Sequence, residues 1–485
     1  MSRSLVLRLA IFAWLLTHTS PEWLTPAASA QDASSQRPPN VLLLVADDLG
    51  YAELGCYGNT EVRTPHLDKF AAKSLLCRQA YVTAPNCSPS RAGFLTGRFP
   101  TRFGYEFNPI GARNEDPGAG MPMQQKTLAE YLHDAGYTTG LVGKWHLGGA
   151  ADFHPQRHGF DEFFGFLHEG HYFVPSPWQD TTTWLRRRGL PKGAGERYRI
   201  NDQLIYSSHM GHDEPAYDAN NPILRGGQAV AEQAYLTDAI TRESVSFVDR
   251  YQNHPWFLYV AYNAVHSPLQ AKNETLEKFS DVEDIHRRIF LAMLADLDQS
   301  VGAILQAVEE SGQMENTLIL FFSDNGGPTR ETTASNLPLR AGKGSMYEGG
   351  IRVPMILCWP GHTQPGTTTD NVFSSLDLYA TVAEVIGRPT SYPLDGVAWS
   401  QNLAPSPPPR TLYWRQGKRA ALRQGRWKLV ADRGHDASSD WELYDLTRDP
   451  SEETNLADAP AHQKRREDIL RQWRSLDQEM ATPLF

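Results

Sequence analysis

Residues 40–48 read NVLLLVADD and give the clearest indication of the fold. The run 40–46 is short and apolar, which predicts a strand buried on both faces, as in a parallel sheet covered by helices. Asp47 and Asp48 follow it directly, and paired carboxylates repel each other unless a cation or a base neutralises them. Capping of the next helix would explain one aspartate but not two. The stretch therefore predicts an α/β fold with a charged site at the end of a strand.

Similar apolar runs recur along the chain, and helical patterns lie between them. Further strands are predicted at 138–142, 256–262, 317–322 and 354–359. Helices are predicted at 66–76, 126–135, 228–251, 284–311 and 374–386. This alternation predicts an α/β sheet sandwiched by helices, in which ligands bind beyond the carboxyl ends of the strands.

The pattern changes after a proline-rich stretch at 404–410. Short alternating segments follow at 411–416, 419–423, 427–431 and 441–445, and a helical pattern covers 461–479. They predict a smaller C-terminal subdomain, residues 404–485, made of an antiparallel sheet and one helix. The main α/β domain is accordingly expected at 40–403.

The N-terminal residues have the composition of a leader. Two arginines precede an apolar run at 9–16, and the ASA at 28–30 matches a cleavage pattern. We predict a signal peptide at 1–30, a polar linker at 31–39 and an exported protein, periplasmic or secreted. The apolar run is too short to span a bilayer, and no later segment is expected to do so, so no membrane contact is predicted after cleavage.

The composition excludes some classes of protein. The chain has 485 residues and a formal net charge of −10, whereas a nucleic-acid-binding protein is expected to carry a basic surface. No nucleic-acid partner is therefore predicted. Four cysteines in a chain of this length exclude a disulfide scaffold. One disulfide among Cys56, Cys77 and Cys358 is compatible with the sequence, which does not assign it.

The strongest chemical signal is the run CSPSRAGFLTGR at 87–98. Pro89 suits the first position of a helix, where a missing N–H has no cost. Cys87 is then expected at a helix N-terminus, which favours an anion. Arg91 follows one turn later, where its guanidinium can contact tetrahedral oxyanions through two N–H groups. A buried structural cysteine in a strand-to-helix turn is the ordinary alternative.

This run resembles the signature of type I sulfatases, Cys-x-Pro-x-Arg followed by Thr-Gly-Arg, and the resemblance covers nearly all of residues 40–460. It implies an alkaline-phosphatase-like fold, with a large mixed, mostly parallel sheet, and a sulfuric ester hydrolase. In that family a maturation enzyme oxidises the cysteine to formylglycine, an aldehyde whose hydrate is the nucleophile. The resemblance thus implies that a formylglycine-generating enzyme converts Cys87.

Hard oxygen ligands follow two of the predicted strands. Asp47 and Asp48 follow the first, and the run SDNGG at 323–327 supplies Asp324 and Asn325 after another. This set, without a cluster of His or Cys ligands, favours Ca²⁺ or Mg²⁺ over Zn²⁺. The positions match the metal-binding positions of sulfatases, where the residue made from Cys87 would complete the ligand set. Calcium is the usual ion of the family, and the sequence does not distinguish it from magnesium.

Three further motifs supply candidate acid–base and sulfate-binding residues. GKWHLG at 143–148 contains Lys144 and His146, YNAVHSPL at 262–269 contains His266, and GKGSMYEGGIRVP at 342–354 contains Lys343. All three resemble sulfatase motifs. The resemblance implies that Lys144 contacts the nucleophile and the sulfate, and that His146 handles the proton of the hydrate. His266 is the expected general acid for the leaving alcohol, with Lys343 as a rival or a helper.

The resemblance also implies an order of events. The metal and Arg91 would hold one hydrate oxygen as an alkoxide that attacks sulfur in line. Lys144 and Lys343 would stabilise charge on the sulfuryl oxygens. His266 would protonate the leaving oxygen, and His146 would then take the remaining hydroxyl proton as sulfate leaves and the aldehyde re-forms.

The expected substrate is a sulfated carbohydrate, because residues 80–98 and 264–270 look most similar to carbohydrate sulfatases of the N-acetylgalactosamine sulfatase and arylsulfatase type. Glycosaminoglycans and algal galactans both remain open. Segment 150–225 is predicted to be a long loop without clear secondary structure; its aromatic and basic side chains suit an anionic sugar, and a solvated insertion is equally compatible. These side chains are His168, His171, Trp178, Trp184, Arg186, Arg187, Arg188, Arg197 and Arg199.

Two other functions are compatible with parts of the pattern. Phosphonate and phosphate monoester hydrolases of the same superfamily can share the Cys-x-Pro-x-Arg motif, although the segments around His266 and Lys343 look more like those of carbohydrate sulfatases. A chain that stays unconverted at Cys87 would only bind sulfated glycan, but every catalytic position is filled.

Overall fold

A computed structural model describes residues 37–189, 197–200, 203–210, 212–435 and 441–485 of the chain. The predicted signal peptide and most of the predicted linker lie outside these residues. Pro38–Phe485 forms one compact unit. The domain boundary proposed at residue 404 therefore stays a prediction.

The secondary structure of the described residues follows in chain order. The strands are β1 (Asn40–Ala46), β2 (Leu75–Tyr81), β3 (Thr138–Lys144), β4 (Glu162–Phe166), β5 (Thr181–Arg187), β6 (Arg197–Ile200), β7 (Gln203–His209), β8 (Leu224–Arg225), β9 (Gln228–Ala229), β10 (Trp256–Ala261), β11 (Leu269–Lys272), β12 (Thr317–Ser323), β13 (Arg352–Val353), β14 (Met355–Cys358), β15 (Thr367–Ser374), β16 (Thr411–Gln416), β17 (Arg419–Gln424), β18 (Trp427–Ala431) and β19 (Glu442–Asp445). The α-helices are α1 (Pro65–Ala72), α2 (Cys87–Thr96), α3 (Leu128–His133), α4 (Leu236–Arg250), α5 (Asn273–Glu277), α6 (Ile285–Glu310), α7 (Thr329–Thr332), α8 (Glu348–Ile351), α9 (Asp377–Ile386), α10 (Trp399–Asn402) and α11 (Gln463–Asp477).

The large sheet has eleven strands in the order β13-β2-β14-β12-β1-β10-β3-β4-β8-β9, with β15 paired to β2. β1 lies between β10 and β12 and runs parallel to both. The β10–β3 and β3–β4 pairs are also parallel, whereas β14, β13, β8 and β9 add antiparallel pairs toward the edges. The predicted large mixed sheet is confirmed.

Alternate residues of β1 enter different apolar layers, which shows that helices cover both faces of the sheet. Val41, Leu43 and Val45 pack with residues of α2, α3 and α9. Leu42 and Leu44 pack with residues of α1, α4 and α6. Each fully buried leucine contributes roughly 2 kcal/mol relative to an exposed one. The apolar run that opens the described chain is thus the centre of the core.

Strands β16 to β19 form a separate antiparallel sheet. On one face Leu422 and Leu429 pack against Trp473 of α11. On the other face Trp414 and Val430 pack against the segment that precedes α8. The predicted C-terminal antiparallel sheet with one helix is confirmed.

Segment 150–225 is not a long loop without secondary structure, so that prediction is wrong. It contains β4, which extends the large sheet, and β5, β6 and β7, which join β11 in a sheet of order β11-β5-β7-β6. β5 pairs with β11, which follows much later in the chain. Pairing between distant strands stabilises short segments whose local pattern is weak.

All five helices predicted before residue 404 are shorter in the structure. The helix predicted at 66–76 ends as α1 at Ala72, and β2 begins at Leu75. The helix predicted at 228–251 begins only at Leu236. β2 escapes prediction because Arg78 and Gln79 interrupt its apolar residues, so that it lacks both an apolar run and a strict alternation.

By length and composition alone, helix α6 could cross a membrane. The prediction that no segment after the leader is long and apolar enough to do so is therefore wrong on these two criteria. Within the described ranges it is the one helix that meets this test, and 72% of its most apolar window is buried inside the protein. It packs with α1, α4 and α5. That environment is typical of a helix in the core of a folded domain.

The four cysteines of the chain are all free. Cys77 is buried, whereas Cys56 and Cys358 are partly exposed. The disulfide that the sequence left open among these three residues is therefore absent from the structure.

Candidate active site

The residues predicted from motifs meet beyond the carboxyl ends of the central parallel strands. Asp47 and Asp48 follow β1, Asp324 and Asn325 follow β12, and Lys144 ends β3. The remaining predicted residues are Cys87 and Arg91 on α2, His146 after β3, His266 after β10 and Lys343 before α8. Because parallel strands end at the same edge of a sheet, the topology brings segments distant in sequence to one place.

Helix α2 begins at Cys87, with Asn86 as its N-cap, and all of its residues are buried. Pro89 is therefore the third residue of the helix and not the first, so that detail of the prediction is wrong. Proline is tolerated there because N–H groups of the first helical turn have no acceptor within the helix. Cys87 does lie at the helix N-terminus, the end that favours negative charge.

Asp47 lies between Lys144 and Cys87. The Lys144 ammonium donates to Asp47 Oδ2 at 2.6 Å, and the Cys87 thiol donates to Oδ1 at 3.6 Å. Burial raises the pKa of Asp47 to about 7, with Asp324 adding to the effect and Lys144 opposing it. A cation bound beside this carboxylate would favour its ionised form.

Arg91 is fully buried and holds Asp324. Its Nη2 and Nε donate to Asp324 Oδ2 at 2.7 and 3.0 Å, and its Nη1 donates to the Lys144 carbonyl at 3.1 Å and the Tyr259 hydroxyl at 3.0 Å. Burial alone would raise the pKa of Asp324, but Arg91 and Lys144 keep it below its ordinary value. In this structure Arg91 orients a carboxylate, and its contact with an oxyanion stays a prediction. Tyr259 was missed because it lies within an apolar strand and has no motif of its own.

Asp48 contacts the residues on the opposite side of the site. The Lys343 ammonium donates to Asp48 Oδ2 at 2.8 Å, and His266 Nε2 lies 3.6 Å from the same oxygen. The Asn325 amide donates to Asp48 Oδ1 at 2.7 Å. Although burial opposes it, Asp48 holds the pKa of Lys343 well above its ordinary value. Asp48 has a φ of 62°, a left-handed conformation that is rare for a non-glycine residue and is concentrated at functional sites.

His146 presents an acceptor nitrogen. Its Nε2–H donates to the Pro109 carbonyl at 2.9 Å, since a carbonyl can only accept. Its Nδ1 is buried and has no hydrogen-bond partner among the described residues. Burial and the charge of Lys144 hold the pKa of His146 well below its ordinary value, so the ring is neutral at neutral pH. A neutral ring with an unpaired Nδ1 can accept a proton.

The oxygen-rich cluster fits a divalent cation. One ligand atom from each of Asp47, Asp48, Cys87 and Asp324 lies within 4.8 Å of the others. Asn325 Oδ1, on the same loop as Asp324, is buried and has no hydrogen-bond partner in the described part of the chain. Lys144, Arg91 and Lys343 pair with the three carboxylates, but the buried Asn325 oxygen is left without a partner among the described residues, which is costly. That cost disappears if Asn325 Oδ1 and the carboxylates coordinate Ca²⁺ or Mg²⁺, the ions that prefer such oxygen ligands.

A cavity of about 420 Å³ adjoins the cluster, and His266 and Lys343 line it. This volume lies in the usual range for small-molecule sites, about 300–1,000 Å³. The other lining residues are Asn86, Asn108, Ile110, Glu169, Arg186, His212, Pro215, Tyr217, Pro328 and Glu331. The cavity therefore presents charged and hydrogen-bonding groups to a bound substrate, next to the predicted general acid.

Of the nine side chains named from segment 150–225, Arg186 lines this cavity. Its guanidinium donates to Glu214 at 2.7 Å, to the Tyr217 hydroxyl at 2.6 Å and to Glu331 at 3.0 Å. Trp184, on β5 of the second sheet, instead stacks on the His286 ring of α6, with centroids 4.0 Å apart. Glu331 and Tyr217 were missed because no motif surrounds them in the sequence.

Known proteins resemble this chain over most of its length. The family model described as Sulfatase matches residues 39–388, and the model described as N-sulphoglucosamine sulphohydrolase, C-terminal, matches residues 341–479. N-acetylgalactosamine-6-sulfatase of Homo sapiens is 35% identical over 387 residues, which are 77% of this chain and 66%, just under two thirds, of that protein. Arylsulfatase A of Homo sapiens is 34% identical over 462 residues, 88% of this chain and 85% of that protein.

A solved structure shows the same likeness. The crystal structure of Ps i-CgsB in complex with k-i-k-neocarrahexaose aligns with a TM-score of 0.79 and 34% identity, covering 92% of this chain and 94% of the other. Similarity of this extent in sequence and in fold indicates common descent. The chain belongs to the sulfatase family, whose members hydrolyse sulfuric esters.

Proposed function

We propose that this protein is a carbohydrate sulfatase that uses a formylglycine made from Cys87 together with a bound divalent cation. The observation that carries the proposal is the meeting of Cys87 with three carboxylates at the strand ends, within 4.8 Å of one another. The Cys87 position lies at the N-terminus of α2, where a negatively charged oxygen is favoured. The sequence motif around Cys87 is the one that the maturation enzyme of the family reads, so we propose that enzyme as a partner.

The residues that would hold the cation are Asp47, Asp48, Asp324 and Asn325, and we propose calcium, with magnesium as the alternative. The bound cation would supply positive charge beside the nucleophile and the sulfate oxygens. Lys144 adds a fixed positive charge on the side of the nucleophile, because its ammonium donates to Asp47 at 2.6 Å. These fixed charges need no reorganisation when negative charge develops in the transition state.

We propose His266 as the general acid. Its ring lines the cavity, and Nε2 lies 3.6 Å from Asp48. Burial, reinforced by Lys343 and Lys144, lowers the pKa of His266 well below its ordinary value. The negative charge of an entering sulfate ester favours the protonated ring, which then donates to the leaving oxygen. Lys343 contacts the same carboxylate of Asp48 and is the rival donor.

We propose His146 as the base for the second half of the reaction. Its unpaired Nδ1 is the acceptor that this role needs, and the bond from Nε2–H to Pro109 fixes the tautomer. The proton of the remaining hydroxyl at position 87 would pass to Nδ1 as sulfate leaves. In this proposal His266 donates a proton in the first half of the reaction and His146 accepts one in the second.

A sulfated carbohydrate is the proposed substrate. The cavity presents carboxylate, guanidinium and hydroxyl groups, which are the partners that sugar hydroxyls need. The relatives support this choice, since one is an N-acetylgalactosamine-6-sulfatase and the Ps i-CgsB crystal contains neocarrahexaose. Both a glycosaminoglycan and an algal galactan are compatible with these observations. Export of the enzyme rests on the predicted leader at 1–30.

Rates on matched sulfate and phosphate esters test this proposal. Protein made together with a formylglycine-generating enzyme should hydrolyse 4-nitrophenyl sulfate and sulfated galactosides faster than the corresponding phosphates. Protein made without that enzyme, and the Cys87→Ala variant made with it, should be inactive on all of them. Faster hydrolysis of the phosphate by matured protein would contradict the proposal and favour a phosphate or phosphonate monoester hydrolase.

A further inference from the structure

We infer that the C-terminal antiparallel sheet positions Lys343 for catalysis by holding the segment that carries it, residues 340–350, which we name the Lys343 loop. The inference deepens the proposed function, because it assumes that Lys343 acts on the substrate. It assigns positioning roles to Asp432 and Lys428, which lie on or beside β18 and take no part in the chemistry.

The Lys343 loop needs external support. Four of its eleven residues are glycines, at 342, 344, 349 and 350, and glycine loses more conformational freedom on ordering than any other residue. The glycines are required because the loop folds back closely on itself: a Cβ on Gly350 would lie 2.0 Å from the Ser345 carbonyl oxygen. A glycine-rich segment of this kind holds an ammonium at 2.8 Å from Asp48 only if other contacts order it.

Asp432, directly after β18, accepts two hydrogen bonds from the loop. The Ser345 hydroxyl donates to Asp432 Oδ1 at 3.0 Å, and the Met346 N–H donates to the same oxygen at 2.5 Å. The Arg419 guanidinium, on β17, donates to the Gly344 carbonyl. Gly344, Ser345 and Met346 are thus tied to the C-terminal sheet, one to three positions after Lys343.

A buried ion network holds the far end of the loop. The Lys428 ammonium lies 2.9 Å from Glu348 Oε1 and 2.9 Å from Glu452 Oε1, and all three side chains are closed to solvent. The Glu348 N–H donates to Glu452 Oε2 at 2.6 Å. Lys428 therefore bridges two carboxylates that would otherwise face each other in the interior.

Aromatic residues complete the attachment. The Tyr347 hydroxyl donates at 2.6 Å to the carboxylate of Glu442, which lies on β19. The Arg340 guanidinium lies 3.8 Å from the centroid of the Tyr347 ring and donates to the Tyr444 hydroxyl at 3.0 Å. Groups of the C-terminal sheet and of the segment after it therefore hold Arg340 and residues 344–348. Bonds from the Gly344 N–H to the Pro85 carbonyl at 2.8 Å and from the Asn336 amide to the Ala341 carbonyl at 3.1 Å add to this support, and the Lys343 ammonium reaches Asp48.

Asp432 is the residue to test, because it is partly exposed and its removal leaves no buried charge without a partner. Asp432→Ala should lower kcat/KM by roughly tenfold to a hundredfold, the range that follows a small misplacement of a catalytic group. Asp432→Asn keeps an oxygen acceptor and should recover most of this loss. Asp477→Ala is the matched control: Asp477 on α11 accepts from Tyr413 at 2.6 Å and Arg415 at 2.8 Å, within the same subdomain but away from the loop.

A double-mutant cycle with Lys343→Ala separates positioning from general stability. If Asp432 acts through Lys343, adding Asp432→Ala to Lys343→Ala should change the remaining aryl sulfatase activity by less than about twofold. Hydrogen exchange should show faster exchange of the amides at 340–350 in Asp432→Ala and no change there in Asp477→Ala. Full additivity of the two substitutions, unchanged exchange in Asp432→Ala, or an equal loss of activity in Asp477→Ala would overturn the inference. A wild-type enzyme without sulfatase activity would instead refute the proposed function.

Discussion

The adjacent residues Asp47 and Asp48 have different surroundings, and the difference divides the site into two halves. Asp47 contacts Lys144, and both side chains are completely closed to solvent. Asp48 contacts Lys343 and His266, which line the cavity and expose 16% and 8% of their side chains. Two successive residues after β1 therefore face different environments: Asp47 faces the closed interior, and Asp48 faces the side chains of the cavity that can receive substrate.

We name the two sides by their contents. The closed half consists of Asp47, Cys87, Lys144, Arg91 and Asp324, and it would hold the nucleophile and most of the cation ligands. The open half consists of Asp48, Lys343, His266 and the adjoining cavity. Changes in the closed half should affect all substrates alike, whereas changes in the open half should depend on the substrate and its leaving group.

The largest effect is expected from Asp324→Ala in the closed half. It removes a predicted cation ligand and the carboxylate oxygen that accepts two hydrogen bonds from the buried Arg91, which costs about 3–5 kcal/mol of stability. Activity should fall by roughly a thousandfold or more on aryl and sugar sulfates alike, because charge stabilisation is lost for both. Metal content per protein and kcat/KM on both substrates measure this. Asp324→Asn keeps a neutral hydrogen-bond acceptor for Arg91, so it is the control that separates loss of the cation from loss of the fold. Full metal occupancy in both variants would refute the ligand assignment.

A large but substrate-dependent effect is expected from His266→Ala in the open half. A sugar alkoxide needs protonation to leave, so kcat/KM on a sugar sulfate should fall by about 10²–10⁴-fold. A nitrophenolate leaves without a proton, so 4-nitrophenyl sulfate should be affected much less. Lys343→Ala, assayed in parallel, shows whether the rival residue gives the same pattern. An equal loss on both substrates in His266→Ala would mean that this residue mainly binds sulfate, and the role of acid would pass to Lys343.

A moderate effect is expected at the wall of the cavity. Glu331 accepts a hydrogen bond from Arg186 at 3.0 Å and lines the cavity. If its carboxylate also binds a sugar hydroxyl, Glu331→Gln should raise KM for a sugar sulfate by about tenfold, the free energy of one hydrogen bond to a charged group. The effect on 4-nitrophenyl sulfate should be smaller because it has no sugar hydroxyls. Glu232→Gln is a matched control, since Glu232 pairs with Arg242 at 2.7 Å away from the cavity. Equal changes in KM on the two substrates would remove Glu331 from sugar binding.

The smallest effect concerns pH and stability. Burial and Lys144 hold the pKa of His146 well below its ordinary value of 6.5, so below pH 6.5 the unfolded chain binds more protons at this residue than the folded protein. Its contribution is therefore fully present above pH 6.5 and is lost as the pH falls toward the folded pKa. His146→Gln should reduce the slope of unfolding free energy against pH by up to about 1.4 kcal/mol per pH unit. Urea unfolding between about pH 7 and 5 measures it, with the exposed His254→Gln as control. An unchanged slope in His146→Gln would contradict the neutral buried ring.

The closed half was largely predictable from the sequence. The apolar run of β1 and the aspartates after it predict a buried strand end, and parallel topology explains why Asp324 lies beside them. The Cys-x-Pro-x-Arg motif locates Cys87 and Arg91. What the sequence could not provide is the partner of each charge. Arg91 was expected to contact an oxyanion, and in the structure its guanidinium holds Asp324.

In the open half, the motifs located Asp48, Lys343 and His266, but the adjoining cavity was much less predictable. The walls of the cavity come from residues 86–110, from residues near 331 and from segment 150–225, in which β5 pairs with a strand distant in sequence. Local periodicity is weak in such segments because each strand is short and stabilised by its neighbours. The Lys343 loop illustrates the same limit: its glycines indicate a close approach, but nothing in the sequence connects it to Asp432, whose hydrogen bonds appear only in the folded chain.

The central claim is that Cys87 is the precursor of the nucleophile, and the mass of the peptide that contains it tests this most directly. The peptide should be measured in protein whose turnover of a sulfate ester has been determined, made with and without the maturation enzyme. Conversion to formylglycine removes H2S and adds oxygen, so the converted peptide is lighter by that difference. The account predicts that the fraction of this lighter peptide rises in proportion to activity. Fully active protein in which the peptide carries only an unmodified thiol would contradict it.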